Sequence, residues 1–284
     1  MTVQGQLRPH TIKSPLTVNF NIQKVTDGSG NLGHFLIHNM LDIARSDIRR
    51  DPSDEFYLGL TFSAGYKSQG VKPLLFRGNI RKAFSYREGP DIVTEIEALE
   101  GLAAIQGAPI ELTLNYPWTF DDAIKALAAS MKLHHVQLGA IGNVIPEVKA
   151  KRGITFSGLS WSELKKLLSP KHYACIDKEK VYVMAENDAL IMPGALAQIN
   201  ASTGLIGTPR RSANMIDFSM LFEPFISLMQ RIKVKSTVVP ELDGEYIVRA
   251  LSHNGVISGA IDQGVTTSVS CYQAPDGIKD VKPK

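Results

Sequence analysis

Hydrophobic and polar positions alternate with a period of two over several stretches of this chain, and the longest runs from Leu74 to Gly101. Its first part sets Leu74, Phe76, Ile80, Phe84 and Tyr86 on even positions and Arg77, Asn79, Arg81, Ser85 and Arg87 on odd ones. After a turn at Glu88-Gly89-Pro90, Ile92, Thr94, Ile96 and Ala98 alternate with Glu95 and Glu97. A period of two sends successive side chains to opposite faces, so the stretch predicts a hairpin with one face buried. With Tyr86 opposite Ile92, Arg81 falls opposite Glu97, and such a pair adds roughly 0.2–1 kcal/mol. Lys82 stands on the apolar face and breaks the pattern. The hairpin reads as a barrel wall or a sandwich face.

Shorter stretches repeat the signal. Val18, Phe20 and Ile22 alternate with Asn19, Asn21 and Gln23; Phe35 to Met40 and Phe56 to Tyr66 read as further strands. Leu41 to Arg50 predicts a short helix with Leu41, Ile43, Ala44 and Ile48 as its apolar stripe, ended by Pro52. Pro109 to Asn115 closes this first β-rich unit. From Pro117 the spacing changes to that of a helix. Thr119 with Asp122 and Ser160 with Glu163 predict capping boxes. Behind the first follow Ile124, Leu127, Ala128 and Met131; behind the second, Trp161, Leu164, Leu167 and Leu168. Tyr173 to Ile176 and Val181 to Met184 form a hairpin. Arg231 to Thr237, Glu245 to Ser252 and Thr266 to Tyr272 are strands again.

The expected fold is therefore mainly β with a smaller α+β unit. Residues 1–14 form an extended N-terminal arm, ordered only if a neighbour orders it. Residues 15–115 form a first β-barrel unit, 116–192 an α+β unit, 193–273 a second β-barrel unit and 274–284 a mobile, charged tail. The two β-rich units look alike. Gly78 precedes Lys82-Ala83-Phe84-Ser85, and Gly244 precedes Arg249-Ala250-Leu251-Ser252, which matches Lys82 with Arg249. Duplication and chance likeness between strands both remain open on these residues. If the units are duplicated, three copies make a ring of six similar elements.

Composition narrows the function. The 284 residues include 31 Lys and Arg against 28 Asp and Glu, a net charge of +3, too weakly basic to argue for nucleic acid by itself. The two cysteines, Cys175 and Cys271, set no disulfide framework and no metal-binding spacing. The first residues lack the apolar core of a signal peptide, and no run of about 18 apolar residues exists to insert into a membrane. Gly28-Ser29-Gly30-Asn31-Leu32-Gly33 matches a dinucleotide-binding fingerprint in letters, but a strand-like stretch follows where that site needs a helix, so it reads as a hairpin turn. No catalytic, cofactor-binding or metal-binding constellation emerges, and the chain reads as a non-enzyme. Candidate interface or channel residues are the charged strand positions Arg77, Arg81, Lys82, Arg87, Glu95, Glu97, Arg231, Lys233, Lys235 and Arg249.

Several ordered strings carry a resemblance to a known family. They include Ile37-His38-Asn39-Met40, Ser63-Ala64-Gly65-Tyr66, Leu75-Phe76-Arg77-Gly78-Asn79-Ile80 and the run Gly89 to Gly101. Thr203-Gly204-Leu205-Ile206-Gly207-Thr208-Pro209 and Gly244-Glu245-Tyr246-Ile247-Val248 follow in the C-terminal part. Together, from about Leu16 to Tyr272, they resemble the baseplate hub proteins of contractile-tail bacteriophages, the Mu-like and late-control-protein-D type, related in fold to the hub part of type VI secretion spike proteins. The sequence departs from the pattern where Glu100-Gly101 replaces the usual Asp-Gly and where Val256 replaces an acid. The resemblance implies two tube-type β-barrel domains flanking an inserted α+β domain. It implies a homotrimer that forms a pseudo-sixfold collar in the virion, assembled in the host bacterial cytoplasm. A hexameric tail tube protein would sit above and a trimeric spike protein below. Other baseplate proteins would surround the α+β unit, and genomic DNA would pass through the channel without sequence-specific binding. No cofactor is implied. Two other readings stand beside it: a nucleic-acid-binding β-barrel protein, motivated by the basic strand positions, and a tail-associated cell-wall hydrolase, motivated by Glu95 with Glu97.

Overall fold

The computed structural model describes residues 1–143, 152–194, 196–259, 264–274 and 277–283. In chain order the first part contains β1 (Thr2–Gln4), β2 (Pro9–Thr11), β3 (Val18–Val25), β4 (Leu32–His38), α1 (Asp42–Asp47), β5 (Leu58–Ser63), β6 (Leu74–Glu88), β7 (Asp91–Leu99) and α2 (Leu102–Gly107). The middle part contains β8 (Pro109–Leu114), α3 (Phe120–Met131), β9 (Gln137–Ile141), β10 (Ile154–Leu159), α4 (Ser160–Leu167), β11 (His172–Asp177) and β12 (Lys180–Ala185). The last part contains β13 (Asp188–Leu190), β14 (Ala197–Ile199), β15 (Leu205–Ser212), β16 (Met215–Leu221), β17 (Arg231–Val234), β18 (Gly244–Ile257), β19 (Thr266–Tyr272) and β20 (Lys279–Val281). The fold is mainly β with large antiparallel sheets, and no described helix is long and apolar enough to cross a membrane.

Thirteen of the described strands form one sheet. Its first set runs β3-β4-β7-β6-β5 and its second β15-β16-β19-β18-β17. The order is the same when each set is counted along the chain. The two sets join where the second half of β18 lies antiparallel to β3, from Ala250 opposite Val25 to Ile257 opposite Val18. Each set covers its own apolar cluster. Phe20, Phe35, Phe62 and Phe76 centre the first, with ring centroids 4.9–6.0 Å apart; Ile232, Tyr246, Val248 and Cys271 centre the second. A third cluster, with Ile124, Leu127, Trp161 and Val181, lies in the α+β part.

The register of the opening hairpin differs from the alternation-based expectation. Ile80 faces Ala98, Lys82 faces Glu97 and Tyr86 faces Val93, with a bulge at Arg81. A bulge inserts one unpaired residue and exchanges the two faces of the strand beyond it. Lys82 is therefore no misfit on an apolar face. Past the bulge Ala83 is buried, while Tyr86 moves to the polar side. Arg81 does not pair with Glu97. The second set has its own bulge, at Arg249 between Val248 and Ala250, so the structural counterpart of Arg249 is Arg81 and not Lys82.

Other elements shift as well. The N-terminal arm is ordered by the sheet: β1 pairs with β2 and with the edge of β5, and Asp47 accepts hydrogen bonds from the amides of Leu7 and Arg8. Leu41 and Ile43 are 79% and 65% exposed, so the stripe of α1 reduces to Ala44 and Ile48. Pro109–Leu114 does not close the first β-rich unit but pairs with β10 in the α+β part. Thr119 and Asp122 form the expected capping box. Ser160 does not cap; it is buried, hydrogen-bonded to Ser130, and Glu163 turns to Lys166 at 2.7 Å. The expected mobile tail contains β20, which lies parallel to β13 with Val281 buried; positions 275, 276 and 284 of that tail lie outside the described residues.

Candidate functional surface

The alternation of β3 sends Val18, Phe20 and Ile22 into the core and Asn19, Asn21 and Gln23 to the opposite face. The register carries that polar face across both sets of strands. On one side Ser252 and Asn254 of β18 lie opposite Gln23 and Asn21, Ser268 of β19 lies opposite Ser252, and Ser219 of β16 opposite Ser268. On the other side His34 lies opposite Asn21, Glu97 opposite His34, and Lys82 opposite Glu97. Short side-chain bonds knit it together: Ser219 with Ser268 at 3.1 Å, His34 with Glu95 at 2.9 Å, and Ser270 donating to Asp217. A depression of about 740 Å³ lies on it, lined by Gln23, Arg210, Asp217, Ser219, Ser252 and Ser268 among others. Hydroxyls and amides dominate, and the few charges are of both signs. Such a face hydrates readily and offers no cationic row for phosphate; its aromatic members, Phe84 and Tyr86, lie at the far end of β6.

The sequence-predicted charged residues do not gather in one place. Lys82, Glu95 and Glu97 lie on this polar face. Arg81 occupies the bulge and is exposed, and the Arg87 side chain folds onto the Gly89 carbonyl at 3.1 Å. Arg77 lies on the same side of the sheet as Lys82, since Asn79 faces Leu99 as Lys82 faces Glu97, and its guanidinium reaches Glu179 at 3.7 Å, at the β11–β12 turn. Arg231 binds Glu245 and, at 3.3 Å, Asp280, while Lys233 and Lys235 are exposed along and just beyond β17. Arg249 lies over Tyr173 and Tyr272, at 4.4 Å and 5.3 Å from the ring centroids, and donates to the Glu186 carbonyl, which places it against the α+β part. Glu95 and Glu97 sit on an open sheet surface, held by His34 and facing Lys82.

One buried cluster has no motif in the sequence. Lys24 shares the buried side of β3 with Ile22 and is 3% exposed. Its ammonium lies 3.1 Å from Glu100 and 2.5 Å from Asp177. Glu100, fully buried at the end of β7, also accepts from Asn31 Nδ2 at 2.8 Å and from the amides of Arg77 and Lys178 at 3.2 and 2.9 Å. Asn31 donates to the Ile176 carbonyl and accepts from the Val25 amide, so the turn that imitates a dinucleotide fingerprint is a structural corner. The cluster fastens the β11–β12 hairpin onto the large sheet. Burial first, then the Asp177 charge, pushes Glu100 up to about 7 despite the pull of Lys24. Burial opposes the charged forms of Lys24 and Asp177 too, but their mutual attraction wins, raising Lys24 and lowering Asp177. The signal in the sequence was Lys24 itself, a cation in phase with Val18, Phe20 and Ile22.

A family model described as baseplate hub gp41 matches residues 2–257. No curated protein matches the chain. Among solved structures, the 43 kDa tail protein of prophage MuSo2 from Shewanella oneidensis is similar with a TM-score of 0.63 at 8% identity, covering 96% of each chain. A tail protein from Neisseria meningitidis MC58 gives 0.62 at 10% identity over 98% of each chain. A chain of the Francisella PdpA-VgrG complex in its half-lidded form gives 0.55 at 8% identity, covering 98% of this chain and 58% of that one. At these identities the likeness is one of fold.

Proposed function

We propose, from the premise that the chain belongs to the baseplate hub gp41 family, that three copies form a pseudo-sixfold collar in a phage tail, with a channel for genomic DNA at its centre. The observation that carries this reading is the repeated strand order, β3-β4-β7-β6-β5 and β15-β16-β19-β18-β17. Two equivalent sets per chain let a threefold object present six similar elements, which suits a hexameric tube on one side and a trimeric spike on the other. In this reading each set is one wall of a tube-type barrel domain, and the α+β part between them meets other baseplate proteins on the outside. The polar face lines the channel. Its hydroxyls, amides and balanced charges stay hydrated and give a polyanion no array of cations to hold it, so DNA passes without sequence-specific binding. The role is structural and belongs to the virion, and a contractile tail is the setting that the family resemblance favours.

Native mass measurement on the purified chain at tail-assembly concentrations tests the collar. The expected species holds three chains of 31.1 kDa. A stable monomer, or a closed ring of six chains, overturns it. The nucleic-acid-binding alternative requires DNA affinity of the isolated chain that falls steeply with salt.

A further inference from the structure

The two strand sets correspond residue by residue. Aligning their bulges, Arg81 with Arg249, and following the registers places Gly33, Phe35 and Ile37 of β4 on Ile216, Phe218 and Met220 of β16, all six buried. The same alignment places the buried Thr94 of β7 on the buried Thr267 of β19. Beyond its bulge, however, β18 has a partner that β6 lacks. The edge of β18 from Ala250 to Ile257 is taken by β3. The corresponding edge of β6, from Ala83 to Glu88, carries among the described residues only the isolated bridge of Ala83 to Arg50. The strand equivalent to β3 is β15, and its outer edge faces no described strand. Each chain thus ends in two complementary halves of a joint that it has already built once within itself.

We infer that β6 of one copy pairs antiparallel with β15 of the next copy, in the register that β18 and β3 adopt within the chain. The inference rests on the collar reading and specifies how its copies are sewn together. Transferring the register puts Ser85 opposite Arg211, with Phe84 opposite Ser212 and Tyr86 opposite Arg210 of the neighbour. Ala83 exchanges both backbone hydrogen bonds with Arg50, at 2.8 and 3.0 Å, so Ser85 and Arg87 also turn their backbone groups outward. A depression of about 440 Å³ runs beside this edge, lined by Arg45, Ser85, Tyr86, Arg87, Pro90 and Ile92. The exposed Tyr86 ring meets the Arg210 guanidinium, and Glu88 lies diagonal to it, both favourable arrangements. The register also keeps the polar face continuous, because Phe84 and Tyr86 share it with Glu95 and Arg210 shares it with Asp217. A slip of one residue would turn that face over.

The joint between copies is shorter than the one within a chain. Gly207-Thr208-Pro209 interrupts β15 between Ile206 and Arg210, where β3 runs unbroken, and Pro209 has no amide to donate. The collar therefore has two kinds of seam in alternation, and the weaker one lies between copies.

Paired cysteines test this in the full chain, since Cys175 and Cys271 are both buried. Tyr86→Cys with Arg210→Cys, and independently Phe84→Cys with Ser212→Cys, place directly opposed residues about 4.5 Å apart at Cα, within disulfide reach. Tyr86→Cys with Ser212→Cys is two residues out of register, at roughly 7–8 Å. Under mild oxidation the in-register pairs are expected to give a reducible three-chain band at least about tenfold stronger than the control. In-register variants that assemble as trimers by mass but remain uncrosslinked overturn the seam and leave the collar intact. Crosslinks that run on to chains longer than three support the seam and overturn the collar.

Discussion

Replacing Lys24 by Met tests the buried cluster that fastens the α+β part to the sheet. Methionine nearly keeps the volume but removes the cation that lies 3.1 Å from Glu100 and 2.5 Å from Asp177. Two buried carboxylates then face each other without compensation, and breaking such a buried pair costs about 3–5 kcal/mol. At about 2–4 °C per kcal/mol for chains approaching this size, the melting temperature should fall by roughly 6–20 °C. The loss should depend on pH in a defined direction. Glu100 is raised from its ordinary 4.5 to about 7, so the fold favours its protonated form. Its contribution to stability is complete below the ordinary value and is lost as pH rises through about 7. Without Lys24 the carboxyl rises further, and the loss continues to higher pH. The deficit of Lys24→Met relative to the unaltered chain should therefore be larger at about pH 8.5 than at about pH 6. Thermal unfolding followed by circular dichroism at both values provides the measurement. A variant that melts within about 2 °C of the unaltered chain, or a deficit equal at the two pH values, would show that Lys24 does not hold the two carboxyls in place.

Further substitutions probe the strands themselves. Lys82→Glu places like charges opposite each other at Glu97 and should cost roughly 0.2–1 kcal/mol, recovered by adding Glu97→Lys, whereas the loss or gain from Arg81→Glu should be indifferent to that second change. A rescue of Arg81→Glu instead would restore the unbulged register. Gly78→Ala should destabilise by about 1–3 kcal/mol in chemical denaturation, because its Cβ would lie 2.5 Å from the Leu99 carbonyl oxygen and 2.8 Å from Glu100 Cα, both backbone atoms with little freedom to move. His253, bonded to Thr267 at 3.0 Å, is drawn down to about 3 by burial and then by the charges of Lys24 and Lys178. Its ring should show no NMR titration above about pH 5, and its neutral state should cost stability as pH falls below its ordinary 6.5.

Much of the architecture was legible because half-buried strands write their two faces into the sequence. The alternation of Val18 to Gln23 survives in β3 and that of Thr94 to Ala98 in β7, whereas Val93 is buried out of phase and Ile92 only half-buried. The bulge at Arg81 was not legible, since Arg81 and Lys82 are both long cations and either fits an exposed position. That one residue displaced the cross-strand partner of Glu97 and misaligned Arg249 with Lys82. Leu41 and Ile43 misled for a different reason: helical spacing shows which residues share a stripe, not whether anything covers it. The candidate surface was only half visible. Charged strand residues stand out in the sequence, yet the face is made mostly of Asn19, Asn21, Gln23, Ser252 and Ser268, which become a surface only when β18 is laid against β3. Pairing across more than two hundred residues has no local signal. Thr94 and Thr267 likewise became equivalent only through the shared strand order.

A three-dimensional reconstruction of the assembled collar decides how many chains surround the channel and which face lines it. It should show three chains around a central channel, six similar walls at low detail, and a lumen lined by the face that carries Asn21, Ser252 and Ser268. A ring of any other copy number, or a trimer in which that face is buried against protein while the basic residues Arg231, Lys233 and Lys235 line the lumen, would contradict this arrangement.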